Sequence, residues 1–499
     1  MPTFTFRRCL LLCLPALLIG GWLRVEMLNG WRGGFYFGPD SGSYWENAFK
    51  FTQGGHLFAT GKRPWMYPLI VWLASHGPVS PAFSVALAQH LVAWLSIVVL
   101  GALVRAVLPW AQWFMVPVTT LYAVQPEILY WGHVLIADSL FISTTLAVAL
   151  AVALYWQKPH WRSFAIVIAL VFPAMALRPV GRTLWIGFFP IVLLVRGVSW
   201  RTRALHTAAL AILYFPASKA TAVTQGEDLL FVSTLPLMRL DTPLHADLKA
   251  ELRPQVEAAR ADLWSYIAVG QRQVWGDLID DDPADPGSVL QTLRKDKKRY
   301  SRVRHEISRE ALRSSPVRYA GMVVMKMFHV YSINDTHTRL EPNRWREAGE
   351  KFLGTSFRKI GAKFPAFVLR DRSVVDENTL HVSLEKTLVA AGSQTRVLRA
   401  LNFFGAFTTP FDLRGKMPDR WWWIVPVALG VFVFSWTREG RRLLPVILFS
   451  AAYLGMTFIV GRAVGRYRLP VEFALHLTAA AGLATLPALF RKRGAANPR

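Results

Sequence analysis

Apolar residues in this chain gather into long runs, with little of the spacing that marks a one-sided helix. The first run, within "MPTFTFRRCLLLCLPALLIGGWLRVEM", extends to about residue 28. Others lie at about 81–105, 113–126, 129–156, 163–178, 183–196 and 204–222. A long polar region follows, and three more runs occupy about 421–436, 443–460 and 470–490. Helices in hydrocarbon need about 20 apolar residues to cross, and several of these runs are shorter. The pattern predicts an all-α polytopic membrane protein of about ten spans in three parts. Residues 1–222 hold about seven spans with a first outer loop at 29–80, residues 223–420 form an outer helical region, and residues 421–499 supply a hairpin, a last span and a basic tail.

Orientation follows from basic residues in short loops. "FRR", "QKPHWR", "RGVSWRTR", "TREGRR" and "RKRGAANPR" fall on one side if both termini are cytoplasmic. The first run begins like a signal peptide but lacks a small-residue cleavage site, so it reads as a retained span. This orientation puts 29–80, the "QPE" corner near 126, "RPVGR" at 178–182, the polar region and "GRAVGRYR" at 461–468 on the outer face.

Composition supports the membrane reading. Hydrophobic residues make up 53% of the chain and aromatics 13%, and mean hydropathy is +0.28. A net charge of +25 would suggest nucleic acid in a soluble protein. Here the arginines are scattered between apolar runs and never interleave with aromatics as a base-stacking platform, so nucleic acid is set aside in favour of orientation and anionic lipid. Cys9 and Cys13, the two cysteines, lie one helical turn apart inside the first run and read as packing groups.

The outer region carries helical patterning at 243–275 and 288–313, separated by the acidic turn "DLIDDDPADPG". That turn has no EF-hand spacing and reads as a solvated loop. "VRYAGMVVMKMFHVYS", at 317–332, is apolar but holds Lys326 and His329, so it is expected to lie along the outer interface.

Candidate chemistry collects on the outer face. "GPDSGSYWENAF" places Asp40, Tyr44 and Glu46 just after the first span. Asp40 reads either as the N-cap of the helix that follows or as a working carboxylate. Asp138, Arg178 and Arg182 sit at outer span ends, where ionisable groups are costly unless they have a task. Snorkelling accounts for the arginines equally well, but the short aspartate stem cannot reach far. Lys62, Arg63 and Tyr67 close the first outer loop in "GKRPWMYP", and Arg466 and Arg468 lie in "GRYRLP". Arginines converging around one or two carboxylates suit a phosphate-bearing substrate, because guanidinium grips phosphate oxygens bidentately and stays charged. His90, His133 and His476 fall in predicted spans and read as packed or hydrogen-bonded core groups. No zinc-protease, Walker A, nucleophile-elbow, dithiol or dinucleotide motif is present.

The order "PDSGSYWENAFKFTQGG", "RPWMYP", "IADSLF", "LRPVG" and "GRYRLP" resembles the GT-C integral-membrane glycosyltransferases. The likeness is strongest to bacterial relatives of the dolichyl-phosphate-mannose protein mannosyltransferases and of the lipid A aminoarabinose transferases. It covers residues 1–220 well and 421–490 in outline. It implies a sugar donor carried on a polyprenyl phosphate, and a glycan, lipid or protein acceptor. It also implies inverting transfer at the outer face of a bacterial inner membrane, with no required cofactor or metal. Asp40 would be the catalytic carboxylate. Arg178, Arg466 and Arg468 would hold the leaving phosphate, and Asp138 matches a position where relatives carry an acid. Lys62 and Arg63 are added by position, and Tyr44, Glu46, Tyr67 and Arg182 complete the set.

Two departures stand out. Many relatives have an acidic dipeptide where Ser41 follows Asp40, and many carry their soluble domain at the C-terminus, not at 223–420. Two other classes share the polytopic form. An O-antigen ligase or polymerase works with arginines and a histidine in a large outer loop. A lipid-linked glycan flippase would show related halves or broken helices, and neither is evident in the sequence.

Overall fold

A computed structural model describes residues 6–30, 41–55, 63–221, 226–267, 295–332, 440–460 and 467–494, with single positions at 289, 293 and 430. The described residues are 86% helical and contain no strand, consistent with an all-α membrane protein. In chain order, the α-helices of six residues or more among the described residues are α1 (Phe6–Gly30), α2 (Ser41–Thr52), α3 (Met66–Ser75), α4 (Pro81–Val107), α5 (Met115–Val124) and α6 (Pro126–His133). They continue with α7 (Asp138–Gln157), α8 (Trp161–Leu177), α9 (Arg182–Leu194), α10 (Trp200–Ala220), α11 (Gly226–Thr234) and α12 (Ala246–Glu251). The last five are α13 (Arg253–Ala261), α14 (Lys297–Ser314), α15 (Pro316–Ser332), α16 (Leu444–Val460) and α17 (Phe473–Gly494).

Four segments are long and apolar enough to cross a membrane: Phe6–Asn29, Pro81–Val107, Asp138–Gln157 and Arg441–Ile459. Their outer surfaces support that reading. Leu11, Leu14, Leu18, Trp22 and Val25 form one exposed stripe on α1, and Leu87, Leu91 and Leu95 form another on α4. Contiguous exposed apolar side chains of this extent need hydrocarbon or a partner to cover them. The acidic turn, the run at 421–436 apart from Gly430, and residues 268–288 lie outside the described residues.

Helix starts follow local chemistry. Ser80 accepts from the Phe83 amide at 3.2 Å, with Pro81 in the first turn of α4. Ser199 accepts from the Thr202 amide at 3.2 Å ahead of α10. Each satisfies an amide that the first turn leaves without a helical acceptor. Close approach of α1 to α4 depends on Gly101: a Cβ there would lie 2.4 Å from Cys13 Sγ. Cys9 and Cys13 are buried and unoxidised, and Cys9 Sγ lies 3.7 Å from Met115 Sδ.

One boundary differs from the sequence expectation. The "QPE" corner is a kink between two helices that continue in one direction and does not turn the chain. Met115 packs against Gly101 on α4, Tyr122 hydrogen-bonds Ser96 at 2.9 Å, and His133 meets His90 at 3.1 Å. Partners on α4 fall in number as this segment rises, so α5 and α6 run together, antiparallel to α4. Gln125, extended at φ −63° and ψ 116°, breaks the helix ahead of Pro126, as a residue before proline does. The reversal comes at 134–137, and α7 starts at Asp138.

In the described part of the region that the sequence reads as outer, α11, α12, α13 and α14 enclose a separate small core of Phe231, Val232, Leu248, Val256, Tyr300 and Ile307. α15 joins it to the bundle. Tyr319 Oη donates to the Ile459 carbonyl, and Lys326 Nζ donates to the Phe458 carbonyl at 3.2 Å. These two residues are seven apart on α15 yet reach adjacent carbonyls in the last turn of α16. α15 therefore runs across the end of that span and not along it. A lysine there also complements the negative end of the helix dipole.

Candidate functional site

α2 begins at Ser41, directly after Asp40 in the sequence. Its buried face is Ser41, Tyr44, Trp45 and Ala48, a helical stripe packed on α3 and on the corner before α7. Trp45 Nε1 donates to the Leu135 carbonyl at 3.1 Å, and Tyr44 Oη donates to the Leu177 carbonyl at 3.5 Å. α2 is thus fastened both to the 134–137 corner and to the end of α8.

Tyr67 joins the same region. Its ring meets Tyr44 edge-on at 5.1 Å, and its hydroxyl donates to Gln89 Oε1 at 2.9 Å. Gln89 Nε2 then donates to the carbonyls of Gly132 at 3.0 Å and Val134 at 2.8 Å, fixing the corner from α4. Arg63 donates through Nε to Ser43 Oγ at 2.7 Å, and its guanidinium lies 5.2 Å from the Tyr44 ring centre.

Arg178 follows the last residue of α8 in extended geometry, φ −145° and ψ 142°, because Pro179 disfavours a further helical residue. Its Nη1 forms an ion pair with Asp138, the first residue of α7, and both side chains are buried. Each charge sits at the helix end that suits it, a cation at a C-terminus and a carboxylate at an N-terminus. The Arg178 guanidinium also lies 5.5 Å from the Tyr467 ring and 6.0 Å from that of Phe141.

Next to Tyr467, Arg468 is wholly buried. Its Nη2 donates to both Glu127 oxygens, at 2.7 and 2.9 Å, and its Nε lies 3.5 Å from Glu472. The Glu472 oxygens accept no hydrogen bond among the described residues, which leaves that carboxyl held by charge alone. The whole assembly runs continuously from Arg63 through Tyr44, Leu177, Arg178 and Tyr467 to Arg468 and Glu127.

Of the residues nominated from sequence, Tyr44, Arg63, Tyr67, Asp138, Arg178 and Arg468 come together here. Two do not. Arg182 donates through Nη2 to the carbonyls of Ser218 at 3.0 Å and Thr221 at 2.8 Å, closing the end of α10. Glu46 pairs with Lys50 one turn on at 2.5 Å, on the exposed side of α2. Asp40, Lys62 and Arg466 lie outside the described residues.

Sequence reasoning missed Glu127, Glu472, Gln89, Trp45 and Tyr467. Two of these carried a signal. Glu127 is a carboxylate inside a long apolar stretch, and Glu472 follows Arg468 by four residues, one helical turn. His90 and His133 pair with each other at 3.1 Å within the bundle. Among the described residues no three His, Cys, Asp or Glu side chains group closely enough to hold a metal.

Chemically the set is rich in carboxylate: two guanidiniums, Arg178 and Arg468, face three carboxyls, Asp138, Glu127 and Glu472. A guanidinium has five N–H donors, more than a single carboxylate accepts, so a paired arginine retains capacity for another anion. Bonded this way, each arginine is also fixed in place before any substrate arrives. No family model matches the chain, and no curated protein or solved structure matches it either.

Proposed function

We propose that this chain is a membrane glycosyltransferase of the GT-C type. It moves a sugar from a polyprenyl-phosphate donor to an acceptor hydroxyl at the outer face of a bacterial inner membrane. The observation that carries the reading is the meeting of Tyr44, Arg63, Tyr67, Asp138, Arg178 and Arg468. They come from five separate stretches of sequence.

In this reading Asp40 accepts the proton of the acceptor hydroxyl as its oxygen attacks the anomeric carbon. The bond from that carbon to the phosphate oxygen breaks on the opposite side, and its electron pair leaves with the lipid phosphate. The configuration inverts, no covalent enzyme intermediate forms, and no metal is needed. Charge grows on the phosphate in the transition state, so a cation already held in position lowers the barrier. Arg178 is that cation, steadied by Asp138; Arg468, held by Glu127 and Glu472, supports Tyr467 beside it. Losing one such contact costs about 10²–10³ in rate.

The test is sugar transfer from radiolabelled polyprenyl-phosphate sugars in membranes containing the wild type or Asp40→Asn. The expected result is donor consumption by the wild type and at least about a hundredfold loss in the variant at equal expression. Full activity in the variant would make Asp40 a helix cap. An absence of donor consumption by the wild type would favour a ligase or a flippase.

A further inference from the structure

A cavity of about 740 Å³ lies between the outer helices and α15, within the range of small-molecule sites. Its walls carry three arginines: Arg239 after α11, Arg260 on α13 and Arg318 on α15. Its floor is apolar, with Leu237, Leu263, Met322 and Met325. Arg318, Gly321, Met322 and Met325 are spaced as one face of α15, so that helix forms a whole wall.

The charge in this cavity is only partly offset. Arg239 is bridged by Asp241, with Nη2 to Oδ2 at 2.6 Å. Arg260 donates to the carbonyls of Pro236 at 3.0 Å and Met238 at 2.5 Å, which fixes its guanidinium without cancelling its charge. Arg318 is exposed and has no partner among the described residues. Glu310 acts on Arg239 but is itself held by Lys249 at 2.6 Å. The balance is positive.

The position of the cavity narrows the ligand. α15 crosses the final turn of α16, so this wall lies where a span leaves hydrocarbon. Val317 and Val324, two turns apart on α15, are 82% and 49% exposed, as on a helix resting in an interface. Three cations above an apolar floor at that level suit an amphiphile with an anionic head.

We propose that this cavity binds the phosphate headgroup of an acidic membrane lipid, one whose head carries net negative charge. The three guanidiniums surround the phosphate, and Leu237, Leu263, Met322 and Met325 cover the first carbons of the lipid. The proposal does not depend on the transferase reading, since no residue of the candidate transfer site lines the cavity.

The experiment is calorimetric titration of the full detergent-purified chain, at near-physiological salt, with a short-chain phosphatidic acid. Inorganic phosphate and a short-chain phosphatidylcholine are titrated in parallel. The expected result is saturable binding of phosphatidic acid, at least about tenfold tighter than either comparison ligand. Arg318→Glu should weaken it at least about tenfold without loss of folding, because that side chain holds nothing in place. Arg253→Glu, an exposed position outside the cavity, should leave it unchanged. The proposal is overturned if Arg318→Glu binds as the wild type does, or if both variants weaken binding equally. It is also overturned if inorganic phosphate or phosphatidylcholine binds as tightly as phosphatidic acid.

Discussion

The bundle and the outer region both rely on ion pairs, but in opposite surroundings. In the bundle, Arg468 and Glu127 are 0% and 3% exposed, and Arg178 and Asp138 are 8% and 5% exposed. In the outer region, Arg239 and Asp241 are 47% and 68% exposed, while Lys249 and Glu310 lie between at 1% and 19%. Exposed pairs are screened by water and contribute little. Buried pairs cost several kcal/mol of desolvation per ion, which their attraction only roughly offsets. A fold gains little by placing such pairs between membrane helices, where leucines would pack as well. Their presence at one end of the bundle argues for a task beyond stability, whereas the outer pairs need no such explanation.

Single substitutions should separate the regions sharply. Arg468→Met leaves Glu127 and Glu472 buried without their cation and should cost about 3–5 kcal/mol. The expected outcome is little folded protein by thermal melting in detergent. A variant as stable as the wild type would show that the carboxyls are protonated or hydrated, and that the pair is not what holds α6 to the 467–472 segment.

Lys249→Met should have a smaller effect, about 1–3 kcal/mol, since Glu310 retains some water and the Thr242 hydroxyl at 2.5 Å. The same network predicts a pH response. Burial raises the Glu310 pKa, but bonds from Lys249 and Thr242 outweigh it and hold the carboxyl below its ordinary value. The folded state then binds fewer protons than the unfolded state. Stability from this group is complete above the ordinary carboxylate range, about pH 4, and is lost as pH falls through the lowered value. Asp241, brought down to about 2 by its bonds from Arg239, extends the same trend weakly because it is exposed. Hydrogen exchange in α12, α13 and α14, corrected for intrinsic rates, should stay slow down to about pH 4 and rise below it. A flat profile to pH 3 would contradict the assignment.

The smallest effect is expected at Glu46. Glu46→Gln removes an exposed pair with Lys50 and should change stability by about 0.5 kcal/mol or less. Transfer activity should be unchanged. A large loss of activity would show that Glu46 does more than pair with Lys50.

Much of this arrangement was legible in the sequence because it depends on local properties. Apolar runs predicted the long helices. Ionisable residues at outer span ends led to Asp138 and Arg178. What stayed hidden depends on contacts between distant segments. "QPE" looks like a corner because proline and two polar residues interrupt an apolar run. Only the pairing of Tyr122 with Ser96 and of His133 with His90 shows that the chain continues through it. Arg182 and Arg178 look alike in "RPVGR", yet one closes a helix end and the other meets a carboxylate. No spacing rule distinguishes them, because the difference lies in where α10 and α7 happen to pack.

The most direct test of a functional role for the buried pair removes both charges together. Arg178→Met with Asp138→Leu replaces it by apolar groups of similar size, a change that is often neutral or stabilising. The double variant should fold and melt like the wild type while transferring sugar at least about a hundredfold more slowly from a polyprenyl-phosphate donor. A double variant that folds and transfers at the wild-type rate would show that Arg178 and Asp138 only join α7 to α8, and the proposed site would lose its cation.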